Sequence, residues 1–60
     1  MARSPRPWRV LATYQDQETA AAAAFGEQGW IRRASGVAVE HQVAGTTPDR
    51  PWAVTATRDR

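Results

Sequence analysis

Sixty residues with no cysteine and a single histidine cannot build a disulfide framework, a thiolate metal site or a histidine-rich zinc site, and they suffice for one small domain at most. A chain this short buries only about 60% of its unfolded surface, so its stability is marginal, and oligomerisation is the compensation that remains. The net charge is +2 and all eight basic residues are arginine, a balance that permits an acidic partner without demanding one.

Twelve alanines with no lysine and no asparagine fit GC-rich codon usage, which weakens arginine as a sign of bidentate anion recognition. No apolar run approaches the roughly 20 residues that span a bilayer. The opening MARSPRPW is followed by no apolar stretch of signal-peptide length. The expectation is a cytoplasmic protein that does not engage a membrane.

Residues 1–7, with two prolines and no periodicity, read as a flexible basic arm. Residues 8–58 form one α+β domain, and 59–60 a tail. The segment WRVLATY, 8–14, alternates and predicts a first strand. Trp8, Val10, Ala12 and Tyr14 lie on one face, with Arg9, Leu11 and Thr13 on the other. A helix follows, with Asp16 as N-cap and Glu18 favoured at the positive end of the dipole. Ala20 to Ala24 is the strongest helix-forming run in the chain. Phe25 is expected to supply the helix's bulky contact. Gly26 is tolerated within the helix, and Gly29 ends it in the left-handed conformation before Trp30.

The next segment predicts a second strand over 37–43, in which Val37, Val39, His41 and Val43 alternate with Ala38, Glu40 and Gln42. Trp30 to Arg33 forms an extended lead-in. A bend or bulge at Gly36 is the preferred reading, and a tight hairpin turn at Ser35–Gly36 is the alternative. GTTPDRP, 45–51, is a loop rich in turn formers. A third strand, 52–58, sets Trp52, Val54 and Ala56 against Ala53, Thr55 and Thr57.

Strand–helix–strand–strand with a right-handed crossover gives a β-α-β-β fold. Its three-stranded antiparallel sheet has order 1-3-2 and one helix on one face, a truncated ferredoxin-like arrangement. The phrase RPWRVLAT at 6–13 returns as RPWAVTAT at 50–57. Neighbouring strands with matching positions beneath one helix account for the repeat, as does chance in an alanine-rich chain. Without a fourth strand, the first strand is an open edge. Edge pairing through Arg9, Leu11 and Thr13 would give a homodimer with a six-stranded sheet.

The catalytic inventory is thin. Ser4 and Ser35 have no activating neighbour, and His41 is the one candidate base near neutral pH. It alternates away from Glu40 and reads as a half-buried or edge histidine. No phosphate loop, metal motif or carboxylate pair is present, so no catalytic, cofactor or metal residue is assigned and the chain is expected not to be an enzyme.

The proposed topology gathers Arg3, Arg6, Arg9, Arg32, Arg33, Arg58 and Arg60 at one pole, with Asp16, Glu18 and Asp49 at the other. That pole suits an acidic partner or phosphates, although solvated arginine explains it as well. Trp8 and Trp52 lie in phase with the core, whereas Trp30, just after a helix end, is the tryptophan best placed for an interface. Trp30, Arg32 and Arg33 are therefore the candidate partner-binding residues.

The stretch VLATYQDQETAAAAAFGEQGW resembles two families. One is the SPOR repeat, a ferredoxin-like peptidoglycan-binding domain that shares the small-aromatic strand end (Thr13-Tyr14), the alanine helix and the Gly-aromatic exit (Gly29-Trp30). The other is the ribonuclease E inhibitor B type of regulator, which runs from an alanine helix through a Gly-aromatic to a valine strand. Each resemblance covers about a third of the chain and implies the fold; neither brings a functional residue. The second helix and last strand of both are missing, and the acidic character of the inhibitor is absent. The reading that results is a small non-enzymatic interaction protein, a homodimeric regulator or inhibitor of a protein partner. The alternative is nucleic-acid binding through the arginine pole.

Overall fold

The structure, a computed structural model, describes residues 9–59. The expectations for Arg3, Arg6, Trp8 and Arg60 lie outside the described residues. In chain order the elements are strand β1 (Arg9–Tyr14), helix α1 (Gln17–Phe25), a 3₁₀ turn η1 (Trp30–Arg32), and strands β2 (Ala34–Ser35), β3 (Ala38–His41), β4 (Trp52–Ala56) and β5 (Arg58–Asp59). One sheet has the order β1-β4-β3, antiparallel throughout, and a second pairs β2 with β5. The order differs in number from the expected 1-3-2 because a two-residue strand precedes β3. Strand β4 holds the centre.

The two sheets share one register. Counting on from Ala38↔Thr55, Ser35 falls opposite Arg58 and Ala34 opposite Asp59, and these are the pairs formed. Residues 34–41 and 52–59 are thus one antiparallel ribbon, bent at Gly36 and Thr57. Gly36 has φ 66°, and a Cβ there would collide with the Thr57 hydroxyl, so both backbone and space require glycine. The bend at Gly36 makes no hairpin, since β2 pairs with β5 and not with β3. Asp59, expected in a tail, closes the ribbon.

The N-cap forms as expected. The Asp16 carboxylate accepts from Thr19 N–H at 2.8 Å and from the Thr19 hydroxyl at 2.9 and 3.0 Å. The helix ends earlier than expected: Gly26 leaves it in extended backbone, φ −68°, with its N–H on Ala22 O at 2.9 Å. Ala20 and Ala24 face the sheet one turn apart, so Phe25, about 100° further round the helix, points outward and is 49% exposed. The expected bulky contact is therefore absent. Alanine alone forms the buried helix face, which lets α1 lie close over β4 and β3.

A β-bulge corrects the reading of β1. Val10 pairs with Thr55 and Ala12 with Val54, leaving Leu11 as the extra residue. The extra residue shifts the alternation by one. Leu11 packs on the Ala20–Ala24–Val54 cluster, while Val10 lies on the opposite face against Gly45. The two copies of the repeated phrase accordingly occupy different environments. Val54 sits at the centre of the core and Val10 beneath a loop.

That loop, 42–51, returns over the sheet face away from the helix. Gly45 reaches Val10, and Arg50 Nη1 donates to Thr13 O at 3.3 Å. Both faces of β4 are thereby covered, and Ala53, Val54, Thr55 and Ala56 are all buried. The edge expected to pair through Arg9, Leu11 and Thr13 is bulged at Leu11 and its Thr13 carbonyl is occupied. Both features guard an edge against strand addition. The second strand is shorter than the expected 37–43, because Gln42 takes φ 58° and ends it.

Candidate functional site

Trp30, Arg32 and Arg33 come together because of two glycines. After the helix, Gly29 N–H donates to Gly26 O at 2.8 Å, closing a tight turn. Gly29 is buried directly beneath the helix end. A Cβ there would stand 2.7–2.8 Å from Ala23 O, Ala24 O and Ala24 C, closer than real Cβ atoms come. Its φ is −79°, so Gly29 is not the left-handed cap expected of it; glycine is required by space alone.

Released from that crossing, the chain makes the 3₁₀ turn instead of the expected extended lead-in. Arg32 N–H donates to Gly29 O at 3.1 Å and Arg33 N–H to Trp30 O at 2.8 Å. The turn brings Arg33 back over Trp30, with its guanidinium carbon 4.4 Å from the ring centroid. This cation–π contact orients the guanidinium while the half-buried indole packs on the core. Arg32 and Arg33 then line an open cleft of about 360 Å³ with Glu27, Gln28 and Gly29.

Both arginines are exposed, and neither forms an ion pair among the described residues. Two guanidinium groups, one pre-oriented on an indole, present donors whose geometry matches carboxylate or phosphate oxygens. Glu27 and Gln28 were missed by sequence reasoning. With the helix read through to Gly29, they fell on a helical surface rather than on a cleft wall, and only the early exit at Gly26 puts them there.

The remaining arginines are partly gathered. Arg9 lies opposite Ala56, two residues before Arg58, and Arg58 lies opposite Ser35, next to the Arg32–Arg33 segment. Register therefore brings Arg9, Arg32, Arg33 and Arg58 toward one end. Arg50 serves the opposite end, where Asp16 and Glu18 also lie. Glu27 interrupts the basic character.

His41 is exposed and stacks on Trp52, ring centroids 4.3 Å apart, with no carboxylate partner among the described residues. Ser35 lies in β2, its carbonyl accepting from Thr57 N–H at 3.0 Å and from the Thr57 hydroxyl at 3.2 Å. Among the described residues no group of three or more His, Cys, Asp or Glu is placed to hold a metal ion. None of the helices described is long and apolar enough to cross a membrane. The chain matches no family model, no curated protein and no solved structure, so the resemblances to the SPOR repeat and to the ribonuclease inhibitor are neither supported nor refuted.

Proposed function

We propose that this chain is a small, non-enzymatic, cytoplasmic interaction protein, a homodimeric regulator or inhibitor that binds a protein partner at the Glu27–Arg33 cleft. The observation that carries the proposal is the pair of adjacent guanidinium groups lining an open cleft, without internal counter-ions among the described residues and with Arg33 held against Trp30. A segment bearing one or two carboxylates suits that pair. Glu27 on the same wall favours a protein surface of mixed charge over a polyphosphate backbone, which it would repel.

The second reading, nucleic-acid binding, draws on the placement of Arg9, Arg32, Arg33 and Arg58 toward one end. A tagged pull-down from host extract at low and moderate salt, with wild type and the Arg32→Ala/Arg33→Ala double variant, separates the two. One protein retained in stoichiometric amount at both salts by wild type alone supports the proposal. Nucleic acid recovered only at low salt moves the assignment to the arginine end.

A further inference from the structure

The outer edge of β3 has a fixed hydrogen-bonding phase. Gln42 N–H donates to Pro51 O at 2.7 Å, continuing the register that runs from Ala38↔Thr55 to His41↔Trp52. Residues of an antiparallel strand alternately bond to the neighbouring strand and face away from it. Ala38 and Glu40 are therefore bonded to β4, whereas Val39 and His41 present their N–H and C=O groups outward. No described residue meets them there. Unlike β1, this edge carries no bulge within the ladder and no side chain from a loop on its carbonyls.

Among the described residues, the same strand borders a core that is only partly closed. The fully buried apolar side chains among the described residues are five alanines and Val54. Val37, Val39 and Trp52 pack against that cluster but are only half-buried. Val39 pairs with Val54 and His41 with Trp52, so both side chains lie on the helix face, along the open border of the sheet.

We propose that two copies of the chain pair antiparallel through their β3 edges about a two-fold axis at Val39. This assignment rests on the homodimer reading above and names its interface. Charge selects both the register and the occupant. An axis at Glu40 would set that carboxylate directly opposite its own copy, which is destabilising. An axis at Val39 sets Glu40 opposite Ala38, lets the two Val39 residues exchange bonds, and brings His41 opposite Val37. The edge is also short, closed at one end by Gly36 (φ 66°) and at the other by Gln42 (φ 58°). A second β3 matches its length and offers a small neutral residue opposite Glu40. The product is a continuous sheet, β1-β4-β3-β3-β4-β1, with both helices on one face and the half-buried valines closed into a seam between them.

Sedimentation velocity from micromolar to millimolar chain tests this with Val39→Pro and Thr13→Pro. Proline at 39 removes an outward N–H and leaves the β3–β4 bonds in place, which is the edge position a strand tolerates. Wild type is expected to sediment as a dimer, Val39→Pro to self-associate at least about tenfold more weakly, and Thr13→Pro to remain dimeric. Val39→Cys supplies a readout that does not depend on tolerating proline. The native chain has no cysteine, and paired Cα atoms about 5.5 Å apart permit a disulfide. Oxidation should give a covalent dimer with unchanged circular dichroism, and Thr13→Cys should not. A monomeric wild type at all concentrations would overturn the homodimer reading and this interface with it. A dimer that survives Val39→Pro, or that crosslinks through position 13 instead of 39, would overturn the interface alone.

Discussion

Replacing Gly29 with alanine tests the crossing beneath the helix end with one methyl group. At φ −79° alanine is unstrained, and a glycine-to-alanine change at a compatible site ordinarily stabilises by about 0.4–1 kcal/mol through the unfolded chain. The structure reverses that sign. The added Cβ would meet Ala23 O, Ala24 O and Ala24 C at 2.7–2.8 Å. All three are backbone atoms that cannot rotate aside. Overpacking of this kind costs about 1–3 kcal/mol, and contact with three fixed atoms belongs at the upper end. The net expectation is a loss of about 2 kcal/mol, or roughly 8–16 °C in Tm for a domain of this size. Urea titration followed by far-UV circular dichroism reads this as a lowered midpoint at unchanged slope. Gly45→Ala is the comparison, since it has a positive φ of 100° but no neighbour closer than 3.5 Å. Its loss should come from backbone strain alone, about 1 kcal/mol. A Gly29→Ala variant as stable as wild type, or more stable, would refute the crossing and with it the geometry that assembles Trp30, Arg32 and Arg33.

Val54→Ala removes the largest fully buried side chain among the described residues and should cost about 2–3 kcal/mol through lost burial and the cavity left behind. In a domain whose core supplies only about 3–5 kcal/mol, heat denaturation should begin near room temperature; an unchanged Tm would contradict the core assignment. Asp16→Ala should lower the helix content and the Tm by removing the N-cap. The Thr19 N–H and then its hydroxyl hold the Asp16 carboxyl below its usual 3.8. A depressed pKa means the cap's contribution is complete above about pH 4 and fades as the pH falls through the lower folded value. The Tm difference between wild type and Asp16→Ala should therefore be constant near neutrality and shrink in acid; a difference that grows in acid would contradict the assigned cap.

The sequence announced its long elements through period and capping. Asp16 before an alanine run and the alternation of 52–56 each have a single local reading. The register of β1 was hidden for a physical reason: Val10, Leu11 and Ala12 are all apolar, so sliding the alternation by one residue violates no pattern. The helix end was hidden because Gly26 and Gly29 are both able to stop a helix. What decides between them is a clearance to carbonyls that exists only once the chain has folded back. Trp30, Arg32 and Arg33 were legible as neighbours in sequence, while the wall made by Glu27 and Gln28 depended on that unseen exit.

The bent ribbon of residues 34–41 and 52–59 also restricts motion. Because the register is kept across Gly36 and Thr57, the two strands of the tip cannot slide past each other without breaking both ladders. Arg33, which leads into one strand of the tip, and Arg58, which lies on the other, are therefore carried on backbones tied to each other by strand pairing. Arg33 is held in addition by its guanidinium over the Trp30 ring, so the tip presents both basic residues from backbone whose register the two ladders fix.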